Sequence, residues 1–339
     1  DANSKAIYTG FEVLQVSAAS GTEVFDPTLV AGITSYKVAA SAGAVELKNL
    51  AAAPTVTVIG TAADLTLTLK DANGAADSAT VTLDNGAVAK AGTKIDGVAV
   101  TKLTAAGVET LNIHSNGTVS TETGFVGTAN SVTLATLDTA KVVIDGSQAL
   151  TFTTGAHTAG LTIDASAATG KLTLDAALAT KIVNINGGTA NDVIKAGTAG
   201  GLIYGGAGGD TITLGTAGKA DTLVYKAASD SLLAVKADGS LDTAKMDSVS
   251  GFTTGEDKID LTSLGFTANT QKVVLEKTVA STDGAALWAL ATSATFFQDA
   301  TNIARGVVAV SNGADTYVFA DANKDGVFNA ADDLVIKLA

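Results

Sequence analysis

The sequence contains no cysteine, so neither disulfides nor thiolate metal centres hold the fold together, and packing and hard cations remain. Its 2 prolines stand against 36 glycines, so turns are made by residues that tolerate positive φ rather than by proline stiffening. Aromatic residues make up 5% of a chain that is 46% hydrophobic. The core must therefore be filled by Ala, Val, Leu and Ile, whose small and β-branched side chains suit flat, repetitive strands. Positive charge is scarce as well: 21 Lys and Arg face 34 Asp and Glu, a formal charge of −13. That balance repels nucleic acid and anionic membrane surfaces and makes a divalent cation the natural counter-charge. No apolar run reaches the roughly 18 residues that span a bilayer, and no basic and apolar leader opens the chain. The start at Asp1 reads as that of a fragment whose N-terminal part is missing. An exported chain gains from lacking cysteines that cross-link early, although a cytosolic chain that happens to lack them would look the same.

What is present is period-two alternation. Short segments such as Val13–Val16, Tyr36–Val38, Val56–Ile59, Leu65–Leu69, Ala79–Leu83 and Val108–Ile113 are separated by Gly, Ala, Ser, Asn and Asp, the pattern of strands and turns. An apolar residue followed by Asp or Asn then recurs at Ile144, Ile163, Leu174 and Ile185, at intervals of 19, 11 and 11 residues. A repeat this short cannot bury its apolar face alone and must stack on its neighbours, which predicts a β-solenoid. An ordinary β-sandwich is the competing reading and predicts less regular spacing. After Ile185 the step contracts to nine, through Ile194, Ile203 and Ile212.

The contraction locates the most informative motif. Gly205-Gly-Ala-Gly-Gly-Asp210-Thr-Ile-Thr213 fits every position of the nonapeptide Gly-Gly-x-Gly-x-Asp-x-U-x, where U is a large apolar residue, and Gly187-Gly-Thr-Ala190-Asn-Asp192-Val-Ile-Lys195 fits with Ala190 in place of one glycine. Calcium takes six to eight oxygens, and glycine-rich turns supply them from carbonyls plus one carboxylate each. Here the sequence resembles the RTX family of type I secreted proteins, in which alternate turns of a parallel β-roll share an ion. The resemblance implies a site formed by the carbonyls of Gly188 and Ala190 with Asp192, facing the carbonyls of Gly205 and Ala207 with Asp210. On the opposite side Gly201 replaces an Asp, and Asp221 follows an insertion, so weaker binding is expected there. Glycine-rich turns without metal are the alternative.

Downstream, Asp221-Thr-Leu-Val-Tyr225, Asp230-Ser231 and Ser250-Gly-Phe-Thr-Thr-Gly-Glu-Asp257-Lys-Ile-Asp260-Leu261 resemble the segment that closes the roll in secreted proteases of this family. There Ile259 and Leu261 are expected to cap the open end of the roll. A second calcium pattern, Asp321, Asn323, Asp325, Val327 through its carbonyl, Asn329 and Asp332 with Gly326 at position six, resembles a dockerin-type loop. A solvated acidic turn is the competing reading. The preceding Asp315–Phe319 reads as a strand, and the final Asp332–Ala339 resembles the uncleaved signal read by type I secretion channels, with an ordinary terminal strand as the competing reading.

The histidines, His114 and His157, are far apart, and neither His-Glu-x-x-His nor Gly-x-Ser-x-Gly occurs. The expected fold is all-β: a β-solenoid over 1–185, an RTX β-roll and capping segment over 186–265, and a β-rich C-terminal region over 266–339. The Ala/Thr/Val-rich body resembles bacterial surface-layer proteins. That resemblance implies a non-enzymatic, extracellular S-layer subunit of a Gram-negative cell surface. Its partners would be further copies of itself and, through the missing part, surface polysaccharide; neither nucleic acid nor a transmembrane segment is expected. An RTX adhesin or the accessory domain of a secreted hydrolase are the alternatives.

Overall fold

The computed structural model describes residues 11–30, 32–135, 138–157, 159–216, 218–236, 241–242, 244–266, 274–279, 284–298 and 306–339. The chain divides into two compact units, Asp1–Asn184 and Ile185–Ala339, each built mainly of β-strands.

In the first unit successive strands alternate between two sheets. One sheet takes Val13–Val16, Ser35–Val38, Thr55–Val58, Ser78–Leu83, Thr110–Ser115, Lys141–Gly146 and Leu161–Ala168, and the other takes Thr22–Phe25, Ser41–Leu50, Ala62–Leu69, Ala99–Thr104, Asn130–Leu134, Leu150–Thr154 and Leu172–Asp175. Each strand pairs in parallel with the next but one. Parallel neighbours need a crossover, and here the intervening strand of the other sheet provides it. The result is a parallel β-solenoid. Ile163 lies in one sheet and Leu174 in the other, so the eleven-residue interval is half a coil, whereas Ile144 and Ile163 share a sheet.

Alternation puts every second side chain inside, and parallel register stacks like upon like about 4.8 Å apart. Tyr36, Val56, Val81, Ile113 and Ile144 form one buried row, and Val100, Val132, Phe152 and Leu174 another. Asn130, a polar residue inside, is fully paired. Asn130 Oδ1 accepts from the Val98 amide at 2.7 Å, and its Nδ2 donates to Ser115 Oγ at 3.0 Å and to the Asn116 carbonyl at 2.9 Å.

The second unit opens as a tighter roll. Ile185, Ile203, Leu223 and Ile259 stand in register in one sheet, and Ile194, Ile212 and Val249 in the other. Nine residues are therefore half a coil. One sheet ends at Lys258–Asp260, where Ile259 and the buried Leu261 lie. The other continues: the C-terminal strand Leu334–Leu338 lies parallel on Asp247–Ser250, and Thr316–Ala320, Val307–Ser311 and Val274–Thr278 follow outward. Beside them Phe296, Phe297, Phe319 and Phe328 pack edge to face among themselves, and Trp288 packs on Phe328, at centroid separations of 4.9 to 6.2 Å. The rings so scarce elsewhere are thus concentrated in this unit. Gly284–Ala291 is an α-helix that the strand pattern did not predict. Among the described residues no helix is long and apolar enough to cross a membrane.

Candidate calcium site

The turns Gly187–Asp192 and Gly205–Asp210 stack one coil apart, because Val193 stands opposite Thr211 in the strands that follow them. The approach is close enough to require glycine. Gly206 has φ +103°, and a Cβ there would collide with the Gly188 carbonyl oxygen. The same carbonyl accepts from the Ala207 amide at 3.2 Å. Ala190 is not among the left-handed residues, whereas Gly208 in the neighbouring turn has φ +130°, so the Ala-for-Gly departure in the first turn accompanies a different backbone.

The carboxylates form a ladder. Asp192 Oδ2 accepts from its own turn at Gly188 N (2.8 Å), while the Asp192 amide donates to Asp210 Oδ1 (2.8 Å). One coil further, the Asp210 amide donates to Asp247 Oδ1 at 2.8 Å. All three side chains are 1% exposed or less. Asp210 Oδ2 is buried and has no hydrogen-bond donor. Burial, together with the nearby Asp192 and Asp230 charges, pushes the Asp210 carboxyl up to about 7, and burial beside Asp210 pushes Asp247 well above the usual carboxylate range. Stacked buried carboxyls of this kind call for a positive charge or a proton. Among the described residues no group of three or more His, Cys, Asp and Glu side chains is placed to hold a metal, so a cation here would draw on carbonyls as well. Two aspartates and the carbonyls of Gly188, Ala190, Gly205 and Ala207 are the donor chemistry a hard, oxygen-seeking cation prefers.

The opposite edge carries a shorter ladder. Gly201 stands opposite Asp221, whose Oδ2 accepts from Gly215 N and whose amide donates to Asp257 Oδ1, both at 2.8 Å. Asp221 Oδ1 is buried without a donor, and burial raises its carboxyl. Asp257 Oδ2 accepts from Thr253 N, Asp230 from Lys226 N, Ala227 N and the Tyr204 hydroxyl, and Asp260 from Thr262 N.

In the C-terminal loop Asp321 accepts from the amides of Asp325 and Gly326. Asn323 Oδ1 accepts from Asp325 N, and Asp325 Oδ1 from Val327 N. Asp332 lies on the outside, holding Asn329 Nδ2 at 2.8 Å. The inward carboxylate is instead Asp333, fully buried and accepting from Ala322 N and Asn329 N. Burial and the Asp321 and Asp325 charges push it up to about 6.

Sequence reasoning passed over Asp247, Ser231 as a hydrogen-bonding group, and Asp333. Asp247 lies 37 residues from Asp210, so the insertion after Tyr225 hides a register that an 18-residue search would find. Of the two histidines, His114 Nδ1 is bonded to Asp145, and buried His157 Nε2 to the Thr154 hydroxyl. No family model matches the chain, and no curated protein matches it.

Proposed function

We propose that this chain is a calcium-dependent structural module of a secreted cell-surface protein, a surface-layer subunit whose roll folds around calcium and whose copies assemble into a sheet. The observation that carries the reading is the Asp192–Asp210–Asp247 ladder: three stacked, buried carboxylates with an oxygen of Asp210 left without a donor, in turns lined by carbonyls. Calcium supplies the missing charge, and the chain's −13 explains why copies would stay apart without it. Gly188, Ala190, Asp192, Gly205, Ala207 and Asp210 hold the principal ion. Asp221 contributes on the opposite edge, and Asp321, Asn323, Asp325, Val327 and Asn329 contribute in the C-terminal loop. Low calcium inside the cell and millimolar calcium outside would separate an exportable chain from a folded one.

A second reading, an adhesin, is favoured by one feature of the first unit. Ser131, Thr151 and Thr173 stand in register, as do Thr133, Thr153 and Asp175, giving a face of regularly spaced hydroxyls suited to glycan. Electron microscopy of the purified chain with millimolar calcium and with chelator tests both. Ordered arrays only with calcium support the surface-layer reading. A folded protein that binds calcium, never orders and retains glycan supports the adhesin. Calorimetry without calcium binding removes both.

A further inference from the structure

The ladder does not stop at Asp247. The Asp247 amide donates to Ser231 Oγ at 2.8 Å, and the Ser231 hydroxyl donates to the carbonyl of Val335, 104 residues away in sequence. The Val335 amide returns a bond to the Ser231 carbonyl at 3.0 Å. Asp247 is also the first residue of the strand on which the C-terminal strand lies, with Ile336 opposite it, and the Ala339 amide closes the far end on the Val249 carbonyl at 2.8 Å. Ser231 and Asp247 are both fully buried. One side chain therefore ties the last rung of the carboxylate ladder to the strand that ends the chain.

We propose that Ser231 couples cation binding in the turn stack to docking of the C-terminal strand, so that the two happen as one equilibrium. The inference rests on the calcium reading above. Without a cation the buried Asp210 Oδ2 stays without a partner, and any shift of Asp247, which holds the Asp210 amide, moves both its own amide and the strand under Leu334–Leu338. Breaking the link leaves a buried Asp247 amide and a Val335 carbonyl short of a partner, a cost that falls on docking and on binding alike. Coupling of this kind is reciprocal: what calcium does for the strand, the strand does for calcium. Ser231 acts as a positioning residue and touches no ion.

Hydrogen exchange on the full chain across a calcium titration tests this, following amides of 187–214 for the turn stack and 334–339 for the strand, with the strands of the first unit as the control. The expected result is one calcium midpoint for both segments. Ser231→Ala should then move the turn-stack midpoint to higher calcium and reduce strand protection by the same factor, on the order of tenfold. Strand protection that is independent of calcium, or that has its own midpoint while the turn stack still orders with calcium, overturns the coupling and leaves the calcium reading intact. A turn stack indifferent to calcium overturns both. If Ser231→Ala does not fold, the wild-type titration alone decides.

Discussion

At the scale of single residues, the buried carboxyls decide how the second unit responds to pH. Asp210 is raised to about 7 and Asp333 to about 6, from an ordinary value of 3.8. An acid raised in the native state binds its proton more tightly folded than unfolded. These groups therefore favour the native state fully below about pH 4, and the contribution is lost as pH rises through about 6 for Asp333 and about 7 for Asp210. With chelator present, the melting temperature read by Trp288 should fall between about pH 5 and about pH 8, by roughly 5 °C or more, and millimolar calcium should flatten that slope. A rise over the same interval would mean that these carboxyls are ionised and satisfied without a cation. In the first unit Asp26 and Asp164 are held below the usual range, chiefly by the hydroxyls of Thr28 and Ser166, so their slope has the opposite sign and lies at lower pH. Asp210→Ala should weaken calcium binding more than Asp221→Ala, on the order of tenfold, because Asp210 faces Asp192 in register while Asp221 faces Gly201. Equal losses in calorimetry would show the two edges to be equivalent. Asp192 and Asp210 are legible in the sequence because the glycines around them mark the turn. Asp333 is not, since the choice between it and Asp332 depends on which way the chain leaves the loop.

At the scale of elements, the strands that alternate cleanly are those the sequence announces. Val56–Ile59, Leu65–Leu69 and Ala79–Leu83 each fall within a residue of an observed strand or inside one, because period two survives any tertiary context that buries one face. Asn130–Leu134 and Leu150–Thr154 went unread, as they open or close on polar residues turned inward. Asn130 repays that burial with bonds to Val98, Ser115 and Asn116. Asn130→Ala should therefore cost about 2 kcal/mol, visible as a lower melting temperature of the first unit with calcium binding unchanged. Gly206→Ala should act on the other unit. Its φ of +103° and the Gly188 carbonyl beside it make the substitution cost about 2 kcal/mol or more and separate the two turns, so calcium affinity should drop with stability. An unchanged calorimetric isotherm would show that the turns need not approach so closely.

At the scale of the whole molecule, solenoid and roll follow from spacing. A coil needs its apolar residues at half-coil intervals, and eleven and nine are such intervals. The C-terminal strand could not be found that way, because its partner, Asp247–Ser250, lies more than eighty residues upstream and only closure in three dimensions brings them together. Light scattering should show growth to large assemblies when calcium is added to the full chain, and Asp325→Ala should reduce growth more than it reduces folding, if the exposed C-terminal loop offers its ion to a neighbour. A folded monomer at millimolar calcium would end the lattice reading and leave the adhesin. The stacking of coils also has a mechanical side. In the first unit each coil pairs with the ones before and after it, at register offsets such as 20 (Tyr36 to Val56) and 32 residues (Val81 to Ile113). That unit, pulled along its stack, has no bond that must carry the whole load. It yields one coil at a time, paying out roughly 70 to 110 Å of chain per step at about 3.4 Å per residue, and dissipates shear as a sawtooth of small ruptures.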